Sequence, residues 1–116
     1  MRLDEDRLLD ILEAIEAIER YTADGRGEFD RNELVGVWCL RHIEIIGEAA
    51  AKISPEAQAK APDIPWKKIV GMRNTLVHAY FDVDWSEVWS VVAKDLQPLK
   101  QGVKRLLATF DTGKTT

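Results

Sequence analysis

Four side chains that can do chemistry lie within eight residues of the sequence: Arg73, Asn74, His78 and Tyr80. Histidine transfers protons near neutral pH, and arginine donates hydrogen bonds to phosphate oxygens and to the charge that develops during their transfer. Asn74 can hold a ribose hydroxyl or orient the imidazole. The set is suited to metal-independent RNA cleavage that leaves a 2′,3′-cyclic phosphate. Taken without further information, however, these residues favour the polar end of a helix whose histidine has only a structural role.

The spacing of these residues does not decide between the two interpretations. On a regular helix, Arg73 and Tyr80 are seven residues apart and share a face, and Asn74 and His78 share a neighbouring one. Arg73 and His78 diverge by about 140°. They can converge on one phosphate if their side chains reach around a common edge, if the helix loosens before His78, or if a second chain completes the site.

The composition is that of one ordinary globular domain. With 116 residues, 46% hydrophobic and 31% charged, the chain can build one core but not two. No run approaches the ~18 apolar residues that span a bilayer, and the N-terminus lacks a signal-peptide pattern. One cysteine excludes an intrachain disulfide. We expect a cytoplasmic protein without a membrane partner, formed by a single domain over 1–116 with a frayed tail.

The charge distribution is uneven. A net charge of −4 opposes a general nucleic-acid binder, because phosphate neutralisation needs a basic surface. Residues 1–33 hold eleven acidic and five basic side chains, whereas residues 60–74 hold four basic and one acidic. Within the basic segment, Lys67 and Lys68 are candidate contacts to an RNA backbone, or else ordinary solvated lysines.

Helical periodicity dominates the chain and predicts an all-α bundle of four main helices with a short extra helical turn. Ser54 is the expected N-cap of that turn, with Pro55 at its first position. No segment shows a sustained strand pattern, and the glycine-containing segment 21–32 is expected to be a loop. The main helices are expected around an apolar stripe at 8–18, over about 32–53, from 66 through 77, and from 84 onward.

Two of these predicted helices carry further information. The fourth opens at Asp84, where Glu87 completes a possible capping box, and Pro98 should kink or break it near residues 95–97. The second is apolar over far more than one stripe, so it needs partners on more than one side. In so small a protein, one such partner can be another copy of the chain.

The segment "RNTLVHAY", residues 73–80, resembles the R-x(4–6)-H motif of the HEPN superfamily, and more closely the R-x4-H-x-Y form of HepT-type ribonuclease toxins. "LRHIEIIGEAAAKIS", "IPWKKIVGMRN" and "WSEVW" resemble the same family, so the similarity covers roughly residues 5–107. It implies an α-helical homodimer whose cleft lies where two copies of the motif face each other. Such a dimer would explain why the second helix is apolar over a wide arc. It would also explain how the divergent side chains of Arg73 and His78 can act at one site.

The resemblance also implies roles. Arg73 and His78 would be the catalytic pair of an endoribonuclease acting on RNA, Asn74 a supporting group, and Tyr80 the acceptor of AMP. In such type VII-like pairs, an MntA-type nucleotidyltransferase antitoxin, using ATP and Mg, would modify Tyr80 and silence the toxin, because the added phosphate and bulk occupy the basic cleft. No cofactor is implied. The alternative is a non-catalytic HEPN dimer that binds a nucleotide or the transferase and serves as its substrate or regulator.

Other polar residues receive simpler interpretations. Cys39 and His42 are spaced like half a zinc site, but no second such pair exists, so no metal site is predicted. His42 can line the cleft or occupy a partly buried helical position. Glu44 and Glu48 lie one turn apart, and an ion pair with Arg41 or with a partner chain is favoured over a pair of catalytic acids.

Overall fold

The protein is mostly helical, and the computed structural model describes residues 3–79 and 82–112, without the side chains of 78–79 and 111–112. Two antiparallel strands, β1 (Val77–Ala79) and β2 (Asp82–Val83), pair with each other, and a π-helical turn (Val91–Asp95) precedes the last helix. No helix in the described ranges is both long and apolar enough to cross a membrane. The helices are α1 (Asp4–Thr22), α2 (Arg26–Arg31), α3 (Glu33–Ala51), α4 (Pro55–Ala59), α5 (Trp66–Val70), α6 (Met72–Leu76), α7 (Trp85–Ser90) and α8 (Leu96–Thr112).

The core forms where α1 packs against α3 and α8. Four of the five residues of the predicted apolar stripe of α1 are fully buried, as are Ile43 and Ile46 of α3, and the fifth, Leu12, is partly buried. Each such aliphatic side chain contributes about 1.5–3 kcal/mol relative to an exposed one. The four fully buried residues of this stripe are Leu8, Ile11, Ile15 and Ile18.

The wide apolar arc of α3 is covered mainly from within the chain. α1, α2, α5, α6 and α7 all contact α3, so several sides of this helix are buried without a second copy. Two large apolar side chains of α3 remain outside these contacts: Leu34 is 76% exposed and Val37 49% exposed. The part of the arc that still needs an explanation is therefore confined to the N-terminal half of α3.

Local capping fixes two of the predicted helix starts. The Ser54 hydroxyl accepts a hydrogen bond from the N–H of Ala57 at 3.2 Å and donates one to the Asp4 carboxylate at 2.6 Å, which fastens α4 to the beginning of α1. The Asp84 carboxylate accepts from the N–H of Glu87 at 3.1 Å, so the predicted N-cap is confirmed.

The loop prediction for 21–32 was wrong, because this segment contains α2. Phe29 is buried and its ring lies 5.2 Å from that of Trp89, which supplies the tertiary contact that holds this short helix. The helix follows Gly25, whose φ of 96° lies in the left-handed region that favours glycine. One buried aromatic in six residues gives too little periodicity to predict a helix from sequence.

The all-α prediction agrees with the mostly helical structure, but the prediction of an uninterrupted third helix from 66 through 77 was wrong. The helix is interrupted at Gly71 and ends at Leu76, after which the backbone becomes extended. The Asp84 N–H donates to the Leu76 carbonyl at 2.8 Å and closes the turn that contains β1 and β2. Strands of three and two residues are too short to produce a recognisable alternation.

Pro98 does not break the helix that contains it. Proline lacks an N–H, and its ring clashes with the carbonyl four residues earlier, here that of Lys94. The turn at Val91–Asp95 widens instead, so that the Leu96 N–H donates to the Val91 carbonyl in the i to i+5 pattern of a π-helix. The helix then continues through Thr112. The expected frayed tail at 113–116 lies outside the described residues.

Candidate functional site

α6 holds the first part of the motif at the surface. Met72 and Leu76, four residues apart, are buried and anchor this one-turn helix, whereas Arg73 and Asn74 between them are exposed. The Asn74 N–H donates to the Gly71 carbonyl at 3.1 Å, which joins α6 to the end of α5. Two adjacent polar side chains are thereby presented to solvent from a backbone that is fixed on its inner side.

The helix ends before it reaches the histidine. Val77 has φ −121° and ψ 104°, and residues Val77–Ala79 form β1, so His78 belongs to an extended segment. The angle of about 140° expected for a continuous helix therefore does not apply to positions 73 and 78. Of the three routes to convergence that the spacing left open, the helix that loosens before His78 is present. The His78 side chain and the whole of Tyr80 lie outside the described residues.

Arg73 is tethered by a carboxylate of the neighbouring helix. Its Nε lies 3.2 Å from Glu44 Oε2, with the arginine side chain 54% exposed and the glutamate side chain 22% exposed. Arg41 Nη1 lies 3.9 Å from the same Glu44 oxygen and 4.0 Å from Glu48 Oε1. The predicted pairing of Glu44 and Glu48 with Arg41 is confirmed. The contact between Glu44 and Arg73 was not predicted, since no local spacing relates residues on separate helices.

Glu44 also belongs to a stripe along the surface of α3, which we call the α3 stripe. Its members recur at steps of three and four residues and therefore share one helical face. The stripe begins with two exposed apolar side chains and ends with charged ones. It consists of Leu34, Val37, Arg41, Glu44 and Glu48.

The two lysines of the basic segment differ in their surroundings. Both are exposed on α5, but Lys68 Nζ lies 3.3 Å from Asp95 Oδ1 in the π-helical turn, so its charge is partly compensated. Lys67 has no ion pair within the described ranges. Lys67 is thus the better candidate of the two for an RNA phosphate.

Comparison with known proteins identifies the family. The family model described as "Ribonuclease HepT-like" matches residues 11–106. The chain belongs to the HepT-like ribonuclease family. The resemblance inferred from "RNTLVHAY" and its flanking segments is therefore confirmed.

Three curated relatives match this chain over 80% or more of their own length. "Probable ribonuclease HepT" of Thermococcus cleftensis is 39% identical over 90% of this chain and 96% of its own. "Putative RNase MJ1380" of Methanocaldococcus jannaschii is 38% identical over 84% of this chain and 90% of its own. "Putative RNase TTE0752" of Caldanaerobacter subterraneus is 34% identical over 78% and 80%, respectively. No solved structure shows a significant match.

Two further candidates in this HepT-like chain are buried or half-buried within α3. His42 is half-buried, with Nδ1 2.8 Å from the Trp38 carbonyl and its ring 4.3 Å from the Trp38 ring, so the partly buried helical position is confirmed. Cys39 is fully buried, and burial raises the pKa of its thiol to about 11. A thiol with that pKa stays protonated at neutral pH and is a poor nucleophile or metal ligand.

Proposed function

We propose that this chain is a metal-independent endoribonuclease toxin that works as a homodimer and is silenced by AMP transfer to Tyr80. The observation that carries the proposal is that Arg73, exposed and tethered, lies on the short helix α6 that directly precedes the strand bearing His78. That placement occurs in a chain of the HepT-like ribonuclease family, whose match includes both residues.

The reaction requires one base and one cation. His78 accepts the proton of a ribose 2′-hydroxyl, the 2′-oxygen bonds to the adjacent phosphorus, and the bond from phosphorus to the 5′-oxygen breaks. The 5′-oxygen leaves as a hydroxyl after taking a proton from the imidazolium or from water. Arg73 stabilises the extra charge on the phosphorane oxygens, and Asn74 supports the ribose or the imidazole. The products are a 2′,3′-cyclic phosphate and a 5′-hydroxyl.

The α3 stripe supports a second copy of the chain as the completing partner. Leu34 and Val37 expose apolar surface on a helix whose other sides are already buried, and the same face continues to Glu44 beside Arg73. Closed dimers place the same surface of both copies in contact, so a dimer built on this face would bring two motifs together. The RNA would then enter a cleft between copies, with Lys67 and Lys68 as backbone contacts.

Silencing would follow from chemistry at the same cleft. The Tyr80 hydroxyl attacks the α-phosphorus of ATP on a partner nucleotidyltransferase, and pyrophosphate leaves while the hydroxyl proton passes to solvent. The adenylate adds negative charge and bulk two residues from His78. Both oppose entry of a polyanion.

Cleavage is tested with Arg73→Ala and His78→Ala on single-stranded RNA without divalent metal. Each variant should lose about 100-fold or more in kcat, because each removes a group used in the transition state. Arg105→Ala is the matched control, since Arg105 is also exposed and paired with a carboxylate, Asp63, at 2.8 Å. Full cleavage by Arg73→Ala, or products without a cyclic phosphate, would contradict the mechanism.

Modification is tested by mass spectrometry after incubation with ATP, Mg and the nucleotidyltransferase. The sequence holds two tyrosines, so Tyr21→Phe is the natural control for Tyr80→Phe, and Tyr21 is exposed and available to a transferase. AMP should appear on the wild type and on Tyr21→Phe but not on Tyr80→Phe. An adduct on Tyr80→Phe would show that the acceptor is another residue.

The alternative, a HEPN dimer that binds without cleaving RNA, is supported by the ion pairs that compensate the positive charges near the motif. Arg73 and Lys68 both lie against carboxylates, which lowers the net attraction of this surface for RNA. Under that alternative, the Arg73 and His78 variants would weaken binding of the transferase or of a nucleotide. The wild-type chain would then show no cleavage for these variants to lose.

A further inference from the structure

Glu44 stands out among the charged residues because it links the proposed catalytic arginine to the helix of the α3 stripe. Most other ion pairs in the described ranges join positions that the proposed reaction does not use, such as Glu19 with Lys100, and the pair of Lys68 with Asp95 involves a proposed RNA contact but no catalytic group. Glu44, in contrast, is only 22% exposed and lies between two arginines, Arg73 at 3.2 Å and Arg41 at 3.9 Å. We infer that Glu44 is the positioning residue of the site, one that sets the direction of the Arg73 guanidinium; this inference rests on the proposed ribonuclease function.

The geometry of the contact leaves the arginine usable. Glu44 contacts Nε, at the base of the guanidinium, while more than half of the Arg73 side chain stays exposed. We infer from this exposure that the outer nitrogens of the guanidinium can bind phosphate oxygens in pairs. A contact at Nε restricts rotation of the guanidinium plane without occupying the donors that a phosphate needs.

The helix that carries Glu44 is better anchored in the core than the helix that carries Arg73. Glu44 lies in the middle of the 19-residue α3, next to the fully buried Ile43, whereas Arg73 lies on the five-residue α6. α5, which leads into α6, approaches α3 so closely that a Cβ at Gly47 would lie 3.3 Å from the Ile69 carbonyl oxygen. The long helix α3 therefore fixes the position of the Glu44 carboxylate, and the ion pair with this carboxylate orients the Arg73 guanidinium.

A carboxylate beside a site that binds RNA should weaken RNA binding, and this effect makes the positioning role of Glu44 testable. Its negative charge repels RNA phosphates, so its removal should tighten RNA binding even as it frees Arg73 to adopt unproductive directions. Misplacement of a catalytic group by about 1 Å lowers turnover by up to about 100-fold. Opposite changes in affinity and turnover are not expected from simple loss of folding.

The experiment compares three variants of the full-length chain. Glu44→Gln removes the charge, and Glu44→Asp keeps the charge but withdraws it by one methylene. Glu19→Gln is the matched control, because Glu19 is a carboxylate of similar exposure that joins α1 to α8 through Lys100 at 2.8 Å. The kcat is measured with random-sequence single-stranded RNA in saturating excess, and affinity is measured on the same RNA with 2′-O-methyl groups, which cannot be cleaved.

We expect Glu44→Gln to lower kcat by about tenfold to 100-fold and to bind the methylated RNA about twofold to tenfold more tightly. Glu44→Asp should lower kcat with unchanged affinity, and Glu19→Gln should change neither. Wild-type cleavage together with unchanged kcat in both Glu44 variants would overturn the positioning role and leave the ribonuclease proposal standing. Equal losses of kcat and affinity in both variants would also overturn it, as a merely structural effect. Absence of cleavage by the wild type would remove the ribonuclease proposal, and this inference with it.

Discussion

Substitutions at Gly47 test how closely α3 packs against α5, the contact that supports the candidate site. Gly47 is buried in α3, and a Cβ added there would lie 3.3 Å from the carbonyl oxygen of Ile69 and 3.4 Å from that of Val70. Both oxygens belong to the backbone of α5, so they can move only if α5 moves. Since α5 leads into the helix that carries Arg73, substitutions at Gly47 test both the packing and its link to the site.

The expected magnitudes follow from two opposing effects. Alanine in place of glycine favours a helix interior by about 1 kcal/mol, whereas overpacking costs about 1–3 kcal/mol. Gly47→Ala should therefore lower the free energy of unfolding by between zero and about 2 kcal/mol. Gly47→Val places additional methyl groups in the same space. It should lower the free energy of unfolding by about 2–3 kcal/mol, which corresponds to a fall of about 10 °C in the melting temperature.

The assay is thermal and urea unfolding at one fixed protein concentration, because association would otherwise shift the midpoint. Gly27→Ala on the exposed α2 is the control, since a Cβ there meets only the movable Arg31 side chain, at 3.1 Å from Nη1. That control should stabilise the chain by about 0.5–1 kcal/mol. If Gly47→Ala stabilises as much as Gly27→Ala, and Gly47→Val is tolerated, α3 and α5 do not pack as closely as described.

Three further predictions concern the core, the thiol and the pH dependence of stability. Ile43→Ala should lower the free energy of unfolding by about 2–5 kcal/mol in urea titrations, because it leaves a cavity in the fully buried centre of α3. The Cys39 thiol, whose pKa burial raises to about 11, should react with a thiol reagent at pH 8 only after the protein is unfolded. The hydrogen bond from Arg105 lowers the pKa of Asp63 below its ordinary 3.8, so this pair stabilises the fold above that pH and the stabilisation is lost as pH falls through the lower folded value. Asp63→Asn should therefore show a slightly smaller fall of the melting temperature between pH 4 and pH 2.

Features that depend on neighbouring residues were predictable from the sequence. The N-caps at Ser54 and Asp84, the apolar stripe of α1 and the extent of α3 all follow from local residue types and from a helical period, and the structure contains them. The Arg73 to Tyr80 motif was likewise visible as a sequence. A local signal suffices where the physical cause is itself local.

Features that depend on distant contacts were not predictable. α2 exists because Phe29 reaches the ring of Trp89, and the turn containing β1 is closed by a hydrogen bond between Asp84 and Leu76. The ion pair between Glu44 and Arg73 joins two helices that no spacing relates. In each case the decisive partner is remote in sequence, so periodicity predicts the wrong element or no contact at all.

α3 connects the proposed dimer to the proposed chemistry, and this connection has a consequence at Leu34. Leu34 is 76% exposed and lies ten residues before Glu44, about 15 Å along the helix, so its side chain is too far away to contact a phosphate held by Arg73. If the α3 stripe is the interface between copies, Leu34→Ser should both shift the chain toward a monomer in analytical ultracentrifugation and lower RNA cleavage. Since the side chain is already exposed, the substitution should hardly change the stability of the monomer. Loss of cleavage without dissociation of the dimer would contradict a cleft formed by two copies. Dissociation without loss of cleavage would contradict it as well, because cleavage would then not depend on the interface.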